Sequence, residues 1–219
     1  MDGNGRWAEK NNKKRISGHK KGVETVKIVT EECVKIGIKY LTLYTFSNEN
    51  WRRPKTEVLA LMKLLVDSLN DHLLLLRENN IKLSVIGDMD KLDIITYNKL
   101  KSVIDETRKN SGMVLNLAIS YGGRQEIIFA VNKILKNNNV KNINEKKFNE
   151  YLYTSNIPDP DFLIRTGGDS RISNFLLWQI AYAEIYFSNK FWPEFSKEDL
   201  KKAIKDYQNR ERRYGEIAE

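Results

Sequence analysis

A chain of 219 residues with 41% hydrophobic side chains can fold as one large domain, burying about 70% of the surface its unfolded form exposes. Its 37 Lys and Arg against 29 Asp and Glu leave a formal charge of +8, which admits nucleic acid, an acidic membrane surface or small anionic substrates as partners. The lone Cys33 excludes a disulfide framework and a cysteine-built zinc site within the chain. Nothing reads His-Glu-x-x-His, no signal peptide opens the chain, and no apolar run reaches the roughly 18 residues that span a bilayer, so a cytoplasmic protein is expected. Much of the basic excess (Lys99, Lys101, Lys201, Lys202, Lys205) falls on amphipathic helices, where a solvated face accounts for it.

The chain opens on Met1-Asp2-Gly3-Asn4-Gly5-Arg6-Trp7-Ala8. Gly3-x-Gly5-x-x-Ala8 formally fits a dinucleotide fingerprint, with Glu24 near the spacing of a ribose partner, but no apolar strand precedes it and Arg6-Trp7 is bulky where a helix must pack close. The segment reads instead as a loop of backbone N–H groups able to bind an anion, with the Asp2 carboxylate beside it. A carboxylate next to bound phosphate repels it unless a divalent cation lies between, which points to Mg²⁺. The basic stretch Arg15, His19, Lys20, Lys21 follows, and a helix is predicted over Gly22–Ile36.

A strand over Tyr40–Ser47 leads into Phe46-Ser47-Asn48-Glu49-Asn50-Trp51-Arg52-Arg53-Pro54, rich in hydrogen-bonding groups, with Pro54 near the first turn of the next helix. That helix, Thr56–Glu78, is apolar on nearly every side, whereas an ordinary surface helix shows one stripe. It is either deeply buried or lines a greasy cavity or a subunit interface. A strand at Ile81–Gly87, a helix at Ile94–Lys109, a strand at Val114–Ser120, the turn Tyr121-Gly122-Gly123-Arg124 and helices at Arg124–Lys136 and Glu145–Thr154 follow. The strand Asp161–Thr166 then ends in Arg165, two glycines turn the backbone toward Arg171, Ile172 and Ser173, and a helix is predicted over Asn174–Tyr182. Two guanidinium groups and a hydroxyl at such a turn suit phosphate oxygens. Glu184 opens the last strand, Glu184–Ser188, where an acid among apolar neighbours needs a partner or a metal. A final helix, Lys197–Arg213, carries Arg210, Arg212 and Arg213 on a solvated face.

Strands alternating with helices predict an α/β single domain over residues 1–219, a mostly parallel central sheet flanked by helices. Ligands of such sheets sit beyond the carboxyl ends of the strands, so Ser47, Tyr121 and Arg165 are expected at one crevice.

In order along the chain, Asp2–Ala8, Gly18–Lys20, Phe46–Pro54, Tyr121–Arg124 and Arg165–Gln179 resemble the landmarks of the cis-prenyltransferases, and within them the bacterial undecaprenyl diphosphate synthases. The resemblance runs from Asp2 to about Gly215. It implies a fold with a hydrophobic tunnel between the sheet and the long helices. It also implies Mg²⁺-dependent condensation of isopentenyl diphosphate onto an allylic diphosphate, usually farnesyl diphosphate. Asp2 would act on the metal and the departing diphosphate, with Glu184 assisting the Mg²⁺ complex. Gly3, Asn4, Gly5, Arg6, Trp7, Arg15 and His19 would hold the allylic diphosphate, and Arg165, Arg171, Ile172 and Ser173 the isopentenyl diphosphate. Asn50 would take the lost proton beside Ser47, with Asn48, Glu49, Trp51 and Arg53 completing the pocket.

A homodimer is implied, with Arg210 to Gly215 reaching toward the partner's site, together with peripheral contact with the inner face of the membrane for product release. Nucleic acid is not an expected partner, since no recognition motif accompanies the charge. Met113 is a candidate for the tunnel floor. Two departures stand out. Relatives carry an apolar strand just before Asp-Gly-Asn, whereas this chain begins one residue before Asp2, so either the chain is trimmed, which is the expected case, or its first strand is absent and Asp2 is poorly held. Asp169-Ser170 also stands where some relatives place Glu-His. The trans-type synthases are excluded because no Asp-Asp-x-x-Asp occurs.

Overall fold

The computed structural model describes residues 1–137, 140 and 142–212. Its elements in chain order are α1 (Asn4–Lys10), α2 (Arg15–Lys35), β1 (Tyr40–Ser47), α3 (Lys55–Glu78), β2 (Lys82–Ile86), α4 (Ile94–Thr107), β3 (Val114–Tyr121), α5 (Gly123–Leu135), α6 (Glu145–Asn149), β4 (Phe162–Arg165), β5 (Glu184–Phe187) and α7 (Lys197–Gln208). The five strands match the sequence expectation to within two residues at each end. Every strand pair is parallel. The ladder falls into two parts, a three-stranded sheet in the order β1-β3-β2 and a two-stranded sheet β4-β5.

The larger apolar cluster joins the sheet face (Leu43, Leu83, Leu115, Leu117, Ile119) to α3 (Met62, Leu69, Leu76) and α4 (Leu100, Val103). β3 is buried along nearly its whole length because it is the centre of three strands, as its apolar run demands. α4 starts where Asp93 accepts from the N–H groups of Ile95 and Thr96 (3.1 and 3.0 Å). In α7 the Ser196 and Asp199 side chains cap each other's backbone.

Several stretches differ from the sequence reading, and α2 begins at Arg15 rather than Gly22. Residues 4–10, expected as a loop, form α1. This short helix is set by packing rather than periodicity: a Cβ at Gly18 of α2 would lie 1.9 Å from the Asn4 carbonyl oxygen, so the glycine is what lets α1 seat on α2. Residues 174–182, expected as a helix, are a series of turns. Ser173, Asn174 and Leu176 adopt φ of 54°, 62° and 45°, which no right-handed helix accommodates. The helix expected at Glu145–Thr154 stops at Asn149, and the last one stops at Gln208.

Candidate active site

Asp2 is pinned to the end of β4. Its N–H donates to Thr166 Oγ1 (2.9 Å), and its carbonyl accepts from the Thr166 hydroxyl (3.0 Å) and from Trp192 N–H (2.9 Å). Oδ1 accepts from Gly3 N–H (2.6 Å), while Oδ2 accepts from Arg165 Nη2 (2.8 Å) and lies 3.3 Å from Arg6 Nη2. Burial works to raise this carboxyl's pKa, but the Gly3 N–H and the Arg165 and Arg6 guanidinium groups outweigh it and hold the pKa below the usual range. Asp2 is therefore an anion under working conditions.

The turn after β4 gathers cations around this carboxylate. Arg165 Nη1 donates to the Arg171 carbonyl and to Ser173 Oγ (2.6 Å), so one guanidinium spans Asp2 and the turn. Asp169, which sequence reasoning noticed only as a departure, accepts from Arg6 (3.1 Å) and from both terminal nitrogens of Arg171 (3.3 and 3.0 Å). Three arginines are thus held by two carboxylates, already aimed at one place. The Arg165 side chain is 11% exposed and the Arg171 side chain 64%, so the first is enclosed and the second reaches toward solvent. Among the described residues Arg165 Nε is buried without a partner, as a donor awaiting a ligand would be.

α1, α2 and α3 supply the other flank. Arg15 pairs with Glu9 (2.7 Å), and Arg53 pairs with Glu57 (3.0 Å). His19 lies among them with Nε2 buried and, among the described residues, unpartnered. Burial first, then the charges of Arg53 and Arg15 against the opposing Glu57, pull its pKa from the ordinary 6.5 down to about 4. The free imidazole is neutral at pH 7. Because the unfolded chain takes up this proton first, the protein should lose about 2 kcal/mol of stability between pH 7.5 and 5. Urea midpoints across that range should fall for the native chain and stay flatter for His19→Gln. An anion bound beside His19 raises its pKa, so binding should tighten as pH drops toward 5.

After β1, Asn50 Oδ1 accepts the Ser47 N–H (3.0 Å) and fixes the 3-10 turn Asn48–Arg52. Glu49 Oε1 accepts from Asn174 Nδ2 (2.8 Å). Trp51 turns inward: Nε1 donates to Ser120 Oγ (2.9 Å) and the ring packs edge-on against Phe46.

These three groups rim one cavity of about 1530 Å³. Asp2, Gly3, Asn4, Gly5, Arg6, Arg15, His19, Ser47, Glu49, Asn50, Arg53, Arg165, Arg171, Ile172 and Ser173 all line it. Below the rim the walls are Leu61, Leu65, Leu69 and Leu76 of α3 facing Leu43, Leu83, Leu115 and Leu117 of the sheet. The apolar character of α3 is explained: one side packs in the core and another lines this space. A polar, cation-rich mouth over a leucine-walled chamber suits an amphiphile with an anionic head.

Other expected residues lie elsewhere. Trp7, Asn48 and Trp51 do not line the cavity; Trp7 stacks under Lys13, and Asn48 accepts from Lys91 (3.1 Å). Tyr121, expected at the crevice, is fully buried with its hydroxyl donating to Glu126 (2.5 Å). Glu184 opens β5 opposite Phe162, three register positions from Arg165, or roughly 10 Å at the strand rise. It pairs with Arg210 (2.8 Å), so this chain alone does not bring it to Asp2. Arg210 is therefore engaged rather than solvated, and Arg212 pairs with Asp161 (3.2 Å). Arg213 to Gly215 lie outside the described residues. Met113 continues the alternation of Leu115 and Leu117 and is buried in the larger apolar cluster, but it does not line the cavity.

Among the described residues no group of three or more acidic, His or Cys side chains stands ready for a metal. The Asp2 carboxylate at a phosphate-binding rim nevertheless fits the way Mg²⁺ is commonly held, by one or two carboxylates plus substrate phosphates. No described helix is long and apolar enough to cross a membrane.

A prenyltransferase family model, described as "Putative undecaprenyl diphosphate synthase", matches residues 1–215. An isoprenyl transferase of Clostridium tetani is 50% identical over 99% of this chain and 87% of its own length. Another, of Geobacter sulfurreducens, is 53% identical over 98% and 89%. A crystal structure of lavandulyl diphosphate synthase from Lavandula x intermedia, in complex with dimethylallyl diphosphate, superimposes with a TM-score of 0.95 at 35% identity, covering 99% of this chain and 95% of that one. A probable undecaprenyl diphosphate synthase from Campylobacter jejuni gives 0.82 at 38% identity, covering 90% and 92%.

Proposed function

Since the chain belongs to the undecaprenyl diphosphate synthase family of prenyltransferases, we propose that it adds isopentenyl diphosphate repeatedly to farnesyl diphosphate and makes a long polyprenyl diphosphate of undecaprenyl type. The observation that carries this reading is the single cavity joining the Asp2 and Arg165 groups at its mouth to leucine walls below.

In each cycle the allylic C1–O bond breaks, isopentenyl C4 bonds to that C1, and a proton leaves isopentenyl C2. Gly3, Asn4, Gly5, Arg6, Arg15 and His19 hold the allylic diphosphate. Arg165, Arg171 and Ser173 hold the isopentenyl diphosphate, with Ile172 against its carbon chain. Both anions displace Asp2 and Asp169 from guanidinium groups that are already in position, so little reorganisation is needed as charge builds on the leaving oxygen. Asp2 would hold Mg²⁺ beside the bound diphosphates, where the ion would supply further neutralisation of that charge. Asn50 Oδ1 has one lone pair on Ser47 N–H and a second for the C2 proton. An amide cannot keep that proton, and the diphosphate released in the same step is its sink.

The growing chain buries apolar carbon along α3 at about 0.8 kcal/mol per methylene. Leu115 lines the cavity near the start of β3, the strand end away from the rim, and is the proposed length gauge. Leu115→Trp should shift products toward shorter chains, read by chromatography of the extracted lipids; an unchanged distribution would place the floor elsewhere. Exposed Ile128, Val131 and Leu135 on α5 support a homodimer, and a product this apolar must pass to a membrane. The test of the function is label incorporation: with radiolabelled isopentenyl diphosphate, farnesyl diphosphate and Mg²⁺, extractable polyprenyl product should form. Its absence from folded protein would refute the reading.

A further inference from the structure

Asn174 bonds to two loops besides its own, and the Tyr121–Arg124 turn is its socket. Its carbonyl accepts from Gly123 N–H (2.7 Å), and its Oδ1 accepts from Arg124 N–H (2.9 Å). Its Nδ2 donates to Gln125 Oε1 (2.9 Å) and to Glu49 Oε1 (2.8 Å). One side chain thus ties the arginine turn after β4 to the start of α5 after β3 and to the 3-10 turn after β1. The backbone pays a conformational cost for this, since Asn174 stands at φ 62° directly after Ser173 at φ 54°. The socket is cut to fit: a Cβ on Gly122 would come within 2.7 Å of Asn174 Nδ2 and 2.3 Å of Gln125 Oε1. Gly122 itself has φ −164°, ordinary extended backbone, so its lack of a side chain serves the close approach and not the turn.

We propose that Asn174 is a positioning residue that sets the distance between the isopentenyl diphosphate clamp (Arg165, Arg171, Ser173) and the proton-loss loop (Ser47, Glu49, Asn50). This rests on the functional reading above. The allylic diphosphate is held by α1 and α2, and Asn174 makes no hydrogen bond to either. Its loss therefore separates the two substrates kinetically.

Asn174→Gly keeps the left-handed backbone and removes only the side-chain bonds. Asn174→Asp keeps Oδ1 but sets a second carboxylate against Glu49. Gly122→Ala fills the socket and leaves Asn174 intact. In steady-state assays each variant should lose about 10- to 100-fold in kcat/KM for isopentenyl diphosphate, the effect of losing a hydrogen bond to a charged group. The KM for farnesyl diphosphate should stay within about twofold and the melting temperature near that of the native chain. Unchanged kinetics in Asn174→Gly and Gly122→Ala would overturn the proposal. So would parallel losses for both substrates with a lowered melting temperature, which mark a merely structural role. Failure of the native protein to incorporate label would instead overturn the functional reading.

Discussion

Asp2→Ala is expected to lower turnover by about 10³-fold, the scale of removing a preorganised charge contact from a reacting diphosphate, while leaving the fold intact. The fold survives because the backbone of residue 2, not its carboxylate, makes the bonds to Thr166 and Trp192. Arg165 and Arg6 keep Asp169 as a partner at 3.7 and 3.1 Å. On the proposed mechanism, what disappears is the anion facing both diphosphates, and with it the protein's share of a Mg²⁺ site. Asp2→Asn should be nearly as inactive, because the neutral amide keeps the shape and loses the charge. A melting curve matching the native one beside a lost incorporation rate is the expected pair of readings. Wild-type turnover in Asp2→Ala would remove Asp2 from the chemistry.

Arg165→Lys should cost about 10²-fold in kcat/KM for isopentenyl diphosphate despite keeping the positive charge. The native guanidinium holds Asp2 with one terminal nitrogen, and the Arg171 carbonyl and Ser173 hydroxyl with the other. An ammonium is a single point and cannot span both. Its methylene stem would also leave the polar turn without the donor that orders it. The loss should appear for isopentenyl diphosphate well before it appears for the allylic substrate, whose proposed contacts lie mainly on α1 and α2. Equal kinetics in Arg165→Lys would show that charge alone suffices at this position.

The arrangement of strands was legible because period-two and continuous apolar runs bounded by glycine and asparagine are local signals, and the parallel pairing followed from the intervening helices. The Arg165 turn was legible for the same reason: a strand end, two glycines and two arginines lie within a few residues of one another. α1 was not, because Asn-Gly-Arg-Trp-Ala carries no amphipathic period; the helix exists through its seat on Gly18, a contact made across the sequence. The apolar residues of 174–182 mimicked a helical face. Three left-handed residues instead send Leu176 and Ile180 into a separate small core around Tyr121. The polar keystones were the least visible. Asp169, Thr166 and Asn174 act through partners up to 164 positions away in the chain, and no short-range pattern marks them. Glu184 shows the reverse: the motif suggested a place beside Asp2, whereas the β4-β5 register sets it at the other end of the strand.

The account depends on one mouth receiving two pyrophosphate heads together. Titration calorimetry with isopentenyl diphosphate, run on protein already saturated with the unreactive farnesyl thiodiphosphate and Mg²⁺, examines this directly. One equivalent of isopentenyl diphosphate should bind to the loaded protein, forming a ternary complex, and Arg165→Lys should weaken that second event selectively. Mutual exclusion of the two ligands would contradict the account, because it would mean a single diphosphate fills the rim that Asp2 and Arg165 share.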